Sequence, residues 1–408
     1  MKILSYGDNP KVSSGYGQVW DNLLTRWCKE KPKWEFYHVG WQNRDRPHQR
    51  KEGYWMLPLL HKEYGFDTVL NNLTTINPDV LITLADVGWQ AGFIDGVMAA
   101  RQKGWRGVWI AYTPVDTHTW EYLSWSEILD APDVVVAMSK AGFDTFKKFG
   151  VSRLEMIPHG VDTKVYKPLA IRDELRKKYK LHDKFVVGFV GRNQRRKMES
   201  FLLRGFAQFA KGKEDVKLLL HTEVLPPQKD MPGWNIPGLI QKYAAEIDPD
   251  FARLNKVIFT RQNLDAATKQ KIQPEDMNEI YNLMDIFCFP TGGEGFGLPA
   301  IESQSAGVPL MMTNSTTGPE LANGHGILIP ILEDKYGRWV TETGTNGVEN
   351  TCPDDVALAK LLNEVYTDWK NGGRDLREKS IKARNFALTY DWDLIQKSWI
   401  DLFEKMVL

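Results

Sequence analysis

Short apolar runs alternate with helical stretches along this chain, and that alternation constrains the fold more than any other feature. Runs at 2–6, Val80–Leu84, Val108–Tyr112 and Val134–Met138 form one series. Phe185–Val190, Val216–His221, Val257–Thr260, Ile286–Pro290 and Val308–Thr313 form a second. Runs apolar on both faces suit parallel sheets, whose strands are joined by helical crossovers. Two series predict two Rossmann-like α/β bodies with mainly parallel sheets, and 408 residues suffice for two or three domains. Tyr166-Lys167-Pro168 and the charged stretch Arg172–Lys184 read as a linker and an entry helix between the series. Val224–Pro237, with four prolines in fourteen residues, predicts a surface excursion rather than a regular helix or central strand. At the far end, Trp392, Ile395, Trp399, Leu402 and Phe403 recur at helical spacing within Asp391–Met406.

Charge narrows the function classes. Lys plus Arg equals Asp plus Glu at 52 each. Residues 1–165 repeat the balance with 19 of each sign, so neither half has the basic excess of a non-specific nucleic-acid binder. Cys28, Cys288 and Cys352 are widely spaced, odd in number and without a C-x-x-C pair, which fits a reducing cytoplasm and argues against a metal site. Met1–Gly7 enters a strand without a signal-peptide pattern, and no apolar run reaches the ~18 residues of a spanning helix. The expected location is cytoplasmic, with peripheral contact at the cytoplasmic membrane face left open.

The chemistry-bearing run is TGGEGFGLPAIESQSAGVPL, 291–310. Its glycines let backbone approach a ligand, and Pro299 suits a helical first turn because its missing N–H has no helical partner there. The helix N-terminus that follows favours an anion. From Pro299, the residues Ala300, Ile301, Ser303, Ala306 and Val308 predict a closely packing helix. Glu294 precedes the turn, and Glu302 lies inside the helix where its dipole favours a carboxylate. The upstream run Asp285–Pro290 delivers this loop at a strand's carboxyl end, where open α/β sheets bind ligands. A Gly-Phe-Gly turn before a helix also occurs as simple packing.

Two further loops follow strands. Arg192-Asn193-Gln194-Arg195-Arg196-Lys197 offers cations able to meet a diphosphate, although a basic loop is often merely solvated. Ser13-Ser14-Gly15-Tyr16-Gly17 precedes the amphipathic stretch Gln18–Trp27. Trp20 stands where a dinucleotide fingerprint needs its third glycine, and no P-loop lysine is present. Tight strand–helix packing also explains these glycines.

The segment from Glu294 to Glu302 resembles the glutamate, seven residues, glutamate motif of the family-four retaining glycosyltransferases, which have the glycosyltransferase B fold. Val186–Arg192 followed by Lys197 resembles that family's strand, Gly-Arg turn and Lys. Met156-Ile157-Pro158-His159-Gly160-Val161-Asp162 resembles its interdomain segment, with His159 where Asn is usual. Met198 stands where Gly is usual after the Lys. The resemblance implies an N-terminal acceptor-binding domain over 1–165, a nucleotide-sugar domain over 166–390, and a C-terminal helix, 391–408, crossing back onto the first domain. The two sheets' ligand-facing loops would then border one cleft.

That resemblance also implies site roles. Arg192 and Lys197 would hold the donor diphosphate, with Arg195 and Arg196 as helpers. The backbone of Gly295, Phe296, Gly297 and Leu298 would stabilise the leaving group, and Glu302 would bind the nucleotide ribose. Glu294 would bind sugar hydroxyls at the reacting face, as nucleophile or as positioning group. The loop with Gly15 and Gly17 would direct N–H groups towards diphosphate or sugar. Asp116 or His118 would lie beside the transferred sugar; an Asp there is also a common turn or helix cap, and a lone His is commonly structural. Retention by front-face substitution without a catalytic metal is implied. No cofactor is required beyond a nucleotide diphosphate-sugar co-substrate, whose base the sequence does not encode. The backbone near Thr260–Leu264 would border that base.

A saccharide or lipid-linked acceptor ranks above a modified nucleic acid because charge is balanced. Ten of fifteen tryptophans precede residue 126, and most are core by default. Trp41–Glu52, with Arg44, Arg46, Arg50 and Lys51, reads as a solvated loop or a phosphate contact. Asp391-Trp392-Asp393 reads as a helix cap rather than a metal ligand set. A sugar-nucleotide epimerase and a non-catalytic nucleotide-sugar binder are the other readings, and the sequence is silent on oligomeric state.

Overall fold

The computed structural model describes residues 1–41, 43, 45–59, 64–117, 124–225, 233–260, 272–343 and 348–407. The chain forms two α/β units. One comprises Met1–Val115, Trp120–Gly160 and Tyr390–Leu408; the other comprises Val161–Thr389 together with Asp116–Thr119.

The first unit is an eight-stranded sheet. Its strands are β1 (Lys2–Asp8), β2 (Glu35–Trp41), β3 (His48–Gln49), β4 (Trp55–Leu57), β5 (Val80–Leu84), β6 (Val108–Thr113), β7 (Val134–Ala137) and β8 (Leu154–Met156). Their order is β3-β4-β2-β1-β5-β6-β7-β8, parallel except for the β3–β4 pair. Buried Leu4, Tyr6, Leu81, Phe93, Val97 and Trp109 form one core cluster beside it.

The helix Trp392–Val407 belongs to this unit. Trp399 meets Trp27 and Tyr112 at ring-centroid distances of 6.1 and 4.8 Å, and Phe403 meets Trp27 at 5.1 Å. Arg26 pairs with Asp393 at 2.8 Å, and Lys31 with Glu404 at 2.6 Å. At its start the Asp393 N–H donates to Asp391 Oδ1 at 2.7 Å, so the first carboxylate of the D-x-D triplet caps the helix and the second pairs with arginine.

The second unit holds β9 (Phe185–Val190), β10 (Val216–His221), β11 (Val257–Phe259), β12 (Ile286–Phe289), β13 (Leu310–Thr313) and β14 (Ile327–Ile329), all parallel in the order β11-β10-β9-β12-β13-β14. A separate antiparallel hairpin pairs β15 (Thr341–Thr343) with β16 (Glu349–Thr351). Sheet order reverses direction between β9 and β12, so the loops leaving these strands flank a topological switch point, the usual binding crevice of an open α/β sheet.

Several expectations are corrected. The proline-rich excursion ends earlier than Pro237, because Ile236 begins the helix Ile236–Glu246 and Pro237 occupies its first turn, where no N–H is needed. Residues 226–232 of that stretch lie outside the described residues. Gly15 and Gly17 are not a turn ahead of a helix; they lie in the first turn of the helix Gly15–Glu30, whose cap Ser14 accepts the Gly17 N–H at 2.9 Å. The helix after the acidic loop stops at Ser305, so Val308 lies beyond it, and Gly307 at φ +78° turns the chain towards β13. Among the described residues, no helix is long and apolar enough to cross a membrane.

Candidate functional site

Two loops at the switch point of the second unit build the site. After β9 the chain passes Arg192, Asn193 and Gln194 and makes a short 3-10 turn, Arg195–Lys197. Met198 then adopts a left-handed conformation at φ 57°, ψ 34°. This is the position where the resembled family carries glycine, and the reason is visible: a side chain there is strained by roughly 1–2 kcal/mol. Met198 offsets the strain by being fully buried. The tight turn points Lys197 inward, while Arg192 and Arg195 stay exposed.

After β12, Thr291, Gly292, Gly293 and Glu294 are buried. The two glycines are required by close approaches of backbone. A Cβ on Gly293 would stand 1.9 Å from the Asp116 carbonyl oxygen, and one on Gly292 would stand 2.6 Å from the Thr351 carbonyl oxygen. Gly297, at φ +100°, caps the helix Leu298–Ser305. Phe296 is buried behind the turn.

Glu294 is the electrostatic centre. Its Oε1 accepts from Lys197 Nζ at 2.5 Å and from the Thr291 hydroxyl at 2.8 Å, and lies 2.9 Å from Arg196 Nη1. Burial alone would raise this carboxyl, but Arg196 and Lys197 outweigh it and hold the pKa down at about 2. Lys197 is lowered to about 8, by burial first and by Arg196 next, against the pull of Glu294. Its ammonium also sits 4.8 Å from the Phe289 ring centre.

Glu302 is buried one turn inside its helix and accepts from the Tyr281 hydroxyl at 2.8 Å. Burial, and then the Glu302 carboxylate, raise the Tyr281 phenol well above its ordinary range, so it serves as a fixed donor. Asp116 joins the second unit, with its carboxylate 3.7 Å from Arg196 Nε. His118 lies outside the described residues, as do Arg44 and residues 261–264.

Lys197, Glu294 and Asp116 are therefore brought around Arg196, a cation the sequence ranked only as a helper. Arg196 also donates to Gly293 O at 2.8 Å, and its own carbonyl accepts the Gly292 N–H at 2.7 Å. Gly15 and Gly17 belong to the first unit, at the carboxyl end of β1. His159 is buried there, with Nδ1 2.7 Å from the Tyr112 hydroxyl; burial lowers its pKa to about 3 and keeps it neutral. Tyr281 and Thr291 were not read from sequence, because a tyrosine on the preceding helix and a threonine at a strand end carry no motif.

The fold made by these two parallel-sheet units is the glycosyltransferase B fold. Sucrose-phosphate synthase from Thermosynechococcus elongatus superposes with a TM-score of 0.73 at 17% identity, covering 99% of each chain. Anabaena HepE, crystallised in complex with UDP, superposes with a TM-score of 0.66 at 15% identity, covering 99% of this chain and 100% of its own. Residues 184–336 match the glycosyl transferases group 1 family. The chain is 24% identical over 279 residues to an MMP alpha-(1->4)-mannosyltransferase of Mycolicibacterium hassiacum, covering 68% of this chain and 54% of that protein. The chain spans little more than half the length of such relatives.

Proposed function

We propose that this protein is a retaining glycosyltransferase that moves a sugar from a nucleotide diphosphate-sugar to a hydroxyl of a saccharide or lipid-linked saccharide. The observation that carries the reading is the buried Lys197–Glu294 ion pair, joined by the partly exposed Arg196, beside a glycine-capped helix N-terminus. Breaking an anomeric C–O bond makes an oxocarbenium-like sugar and a more negative diphosphate, and preorganised cations and amides aimed at those oxygens lower the barrier. Lys197, Arg192 and the backbone of Gly295, Phe296, Gly297 and Leu298 are assigned to the diphosphate. Glu302, held by Tyr281, is assigned to the ribose hydroxyls, and Glu294 to the sugar.

Asp116 is assigned to the sugar's other side, with His118 its rival. Front-face substitution then lets a donor phosphate oxygen take the acceptor's proton, with no metal in the step. Loss of one transition-state contact of this kind costs about 3–4 kcal/mol, or roughly 100- to 1,000-fold in rate.

A thermal-stability screen against UDP, GDP, ADP, CDP and their sugar conjugates tests the reading, beginning with UDP because the structurally similar HepE was crystallised with it. A ligand at ~100 times its Kd adds roughly 2.7 kcal/mol to the folded state. A shift with one nucleotide, lost in Glu302→Gln and Arg192→Ala, is the expected result. No shift and no binding by direct titration with any of them would sink it.

A further inference from the structure

The hairpin formed by β15 and β16 lies beyond residue 336, where the match to the group 1 family ends, yet it is built into the acidic loop. The Thr351 N–H donates to Gly292 O at 3.2 Å, and the Thr351 hydroxyl donates to the same oxygen at 2.9 Å. That hydroxyl also lies 2.9 Å from Ser315 Oγ, which reaches Gly292 O at 3.2 Å. One carbonyl, two residues before Glu294, is thus held from three directions. On its other side the Gly292 N–H is taken by Arg196 O. At the neighbouring residue of the same strand, Asn350, the Cβ lies 2.9 Å from the place a Gly292 Cβ would occupy. The Thr117 hydroxyl, next to Asp116, donates to Glu349 O at 2.7 Å.

The strand Glu349–Thr351 therefore contacts the loop of Glu294 at one end and the residue after Asp116 at the other. Both carboxylates flank Arg196. Thr351 is buried, as are Gly292 and Ser315, so the contacts form away from water, where a lost partner is costly.

We infer that this hairpin is a positioning element of the site, with Thr351 the positioning residue that sets where the Glu294 carboxylate stands and hence how well the site takes the sugar portion of its donor. The inference rests on the proposed donor reading for its second half. It separates two parts of binding: the nucleoside diphosphate depends on Lys197, Arg192 and Glu302, whereas the increment added by the sugar depends on Glu294 and so on the hairpin.

The test uses the full chain and four proteins: wild type, Thr351→Val, Thr351→Ser and Ser315→Ala. Amide exchange at residues 292–294 is followed without ligand, and the Kd of UDP is compared with that of UDP-glucose, or of whichever pair the screen selects. Thr351→Val should speed exchange at these amides on the order of tenfold, as expected for one or two lost buried hydrogen bonds. It should shrink the affinity ratio of nucleotide-sugar to nucleotide by a similar factor while leaving nucleotide affinity within about twofold. Thr351→Ser, which keeps the hydroxyl, should restore both. If Thr351→Val does not fold, Ser315→Ala should give the same pattern at smaller amplitude. Unchanged exchange in both variants, or an equal loss for nucleotide and nucleotide-sugar, overturns the inference. A wild-type protein that binds no nucleotide defeats the donor reading, and the exchange measurement then decides the hairpin's role by itself.

Discussion

Lys197 and Glu294 share one buried ion pair, and their titrations point in opposite functional directions. At neutral pH both are charged. As pH rises through about 8, Lys197 loses its proton, and any phosphate it holds loses a cation. Titration of nucleoside diphosphate between pH 6.5 and 9 should therefore show affinity falling above about pH 8; Lys197→Met should bind weakly at every pH, without that slope. Stability follows linkage. Glu294, held at about 2, contributes stability that is complete above the ordinary carboxyl range and is lost as pH falls towards 2. Lys197 has the other sign: the unfolded chain holds its proton more tightly, so its unfavourable share shrinks as pH climbs from about 8 to the ordinary lysine value.

Glu302→Gln should raise the donor Kd at least tenfold, because hydrogen bonds to a charged group contribute about 1.5–3 kcal/mol. Turnover at saturating donor should stay within a few-fold, and steady-state kinetics separates the two. Both glutamates were legible in sequence from their spacing around a glycine turn. Arg196 was not, since Arg195, Arg196 and Lys197 are interchangeable as letters. The 3-10 turn and the left-handed Met198 decide which cation reaches Glu294.

Gly160 shows how tightly the elements of the first unit are fitted. A Cβ there would stand 2.5 Å from the Trp392 indole, a rigid ring at the start of the last helix. Gly160→Ala should cost about 1–3 kcal/mol by overpacking, read as a lower denaturant midpoint. At this scale, strands buried on both faces were readable: Phe185–Val190 and Val216–His221 begin and end where their apolar runs do. β2 was not, because Glu35 and His38 interrupt its apolar pattern; His38 is tolerated inside because its Nδ1 lies 2.8 Å from the Ser5 hydroxyl and burial keeps the ring neutral. The hairpin β15–β16 also escaped notice. Its threonines and glutamates resemble a polar loop, and its pairing is fixed by contacts with residues far away in sequence.

Two units with separate sheets predict two thermal transitions in calorimetry. Saturating nucleotide should raise the one belonging to Val161–Thr389 and leave the other in place. Ending the chain after Thr389 should lower the first unit's transition, because it removes Trp399 and Phe403 from their contacts with Trp27 and Tyr112, while the nucleotide-dependent shift survives. The division into parallel-sheet bodies was legible from two series of apolar runs. Which residues join each body was less so, since Asp116 follows a strand of the first yet packs with the second.

The last helix also bears on how the protein is made. A nascent chain leaves the ribosome from its amino end, and domains generally complete in that order. Here the first unit lacks a wall of its interior until Trp392–Val407 has been synthesised, whereas nearly all of the second unit is a continuous stretch finished by Thr389. Synthesis therefore completes the body that begins second before the body that begins first, because the first unit, with Trp27 still uncovered, waits for Trp392–Val407.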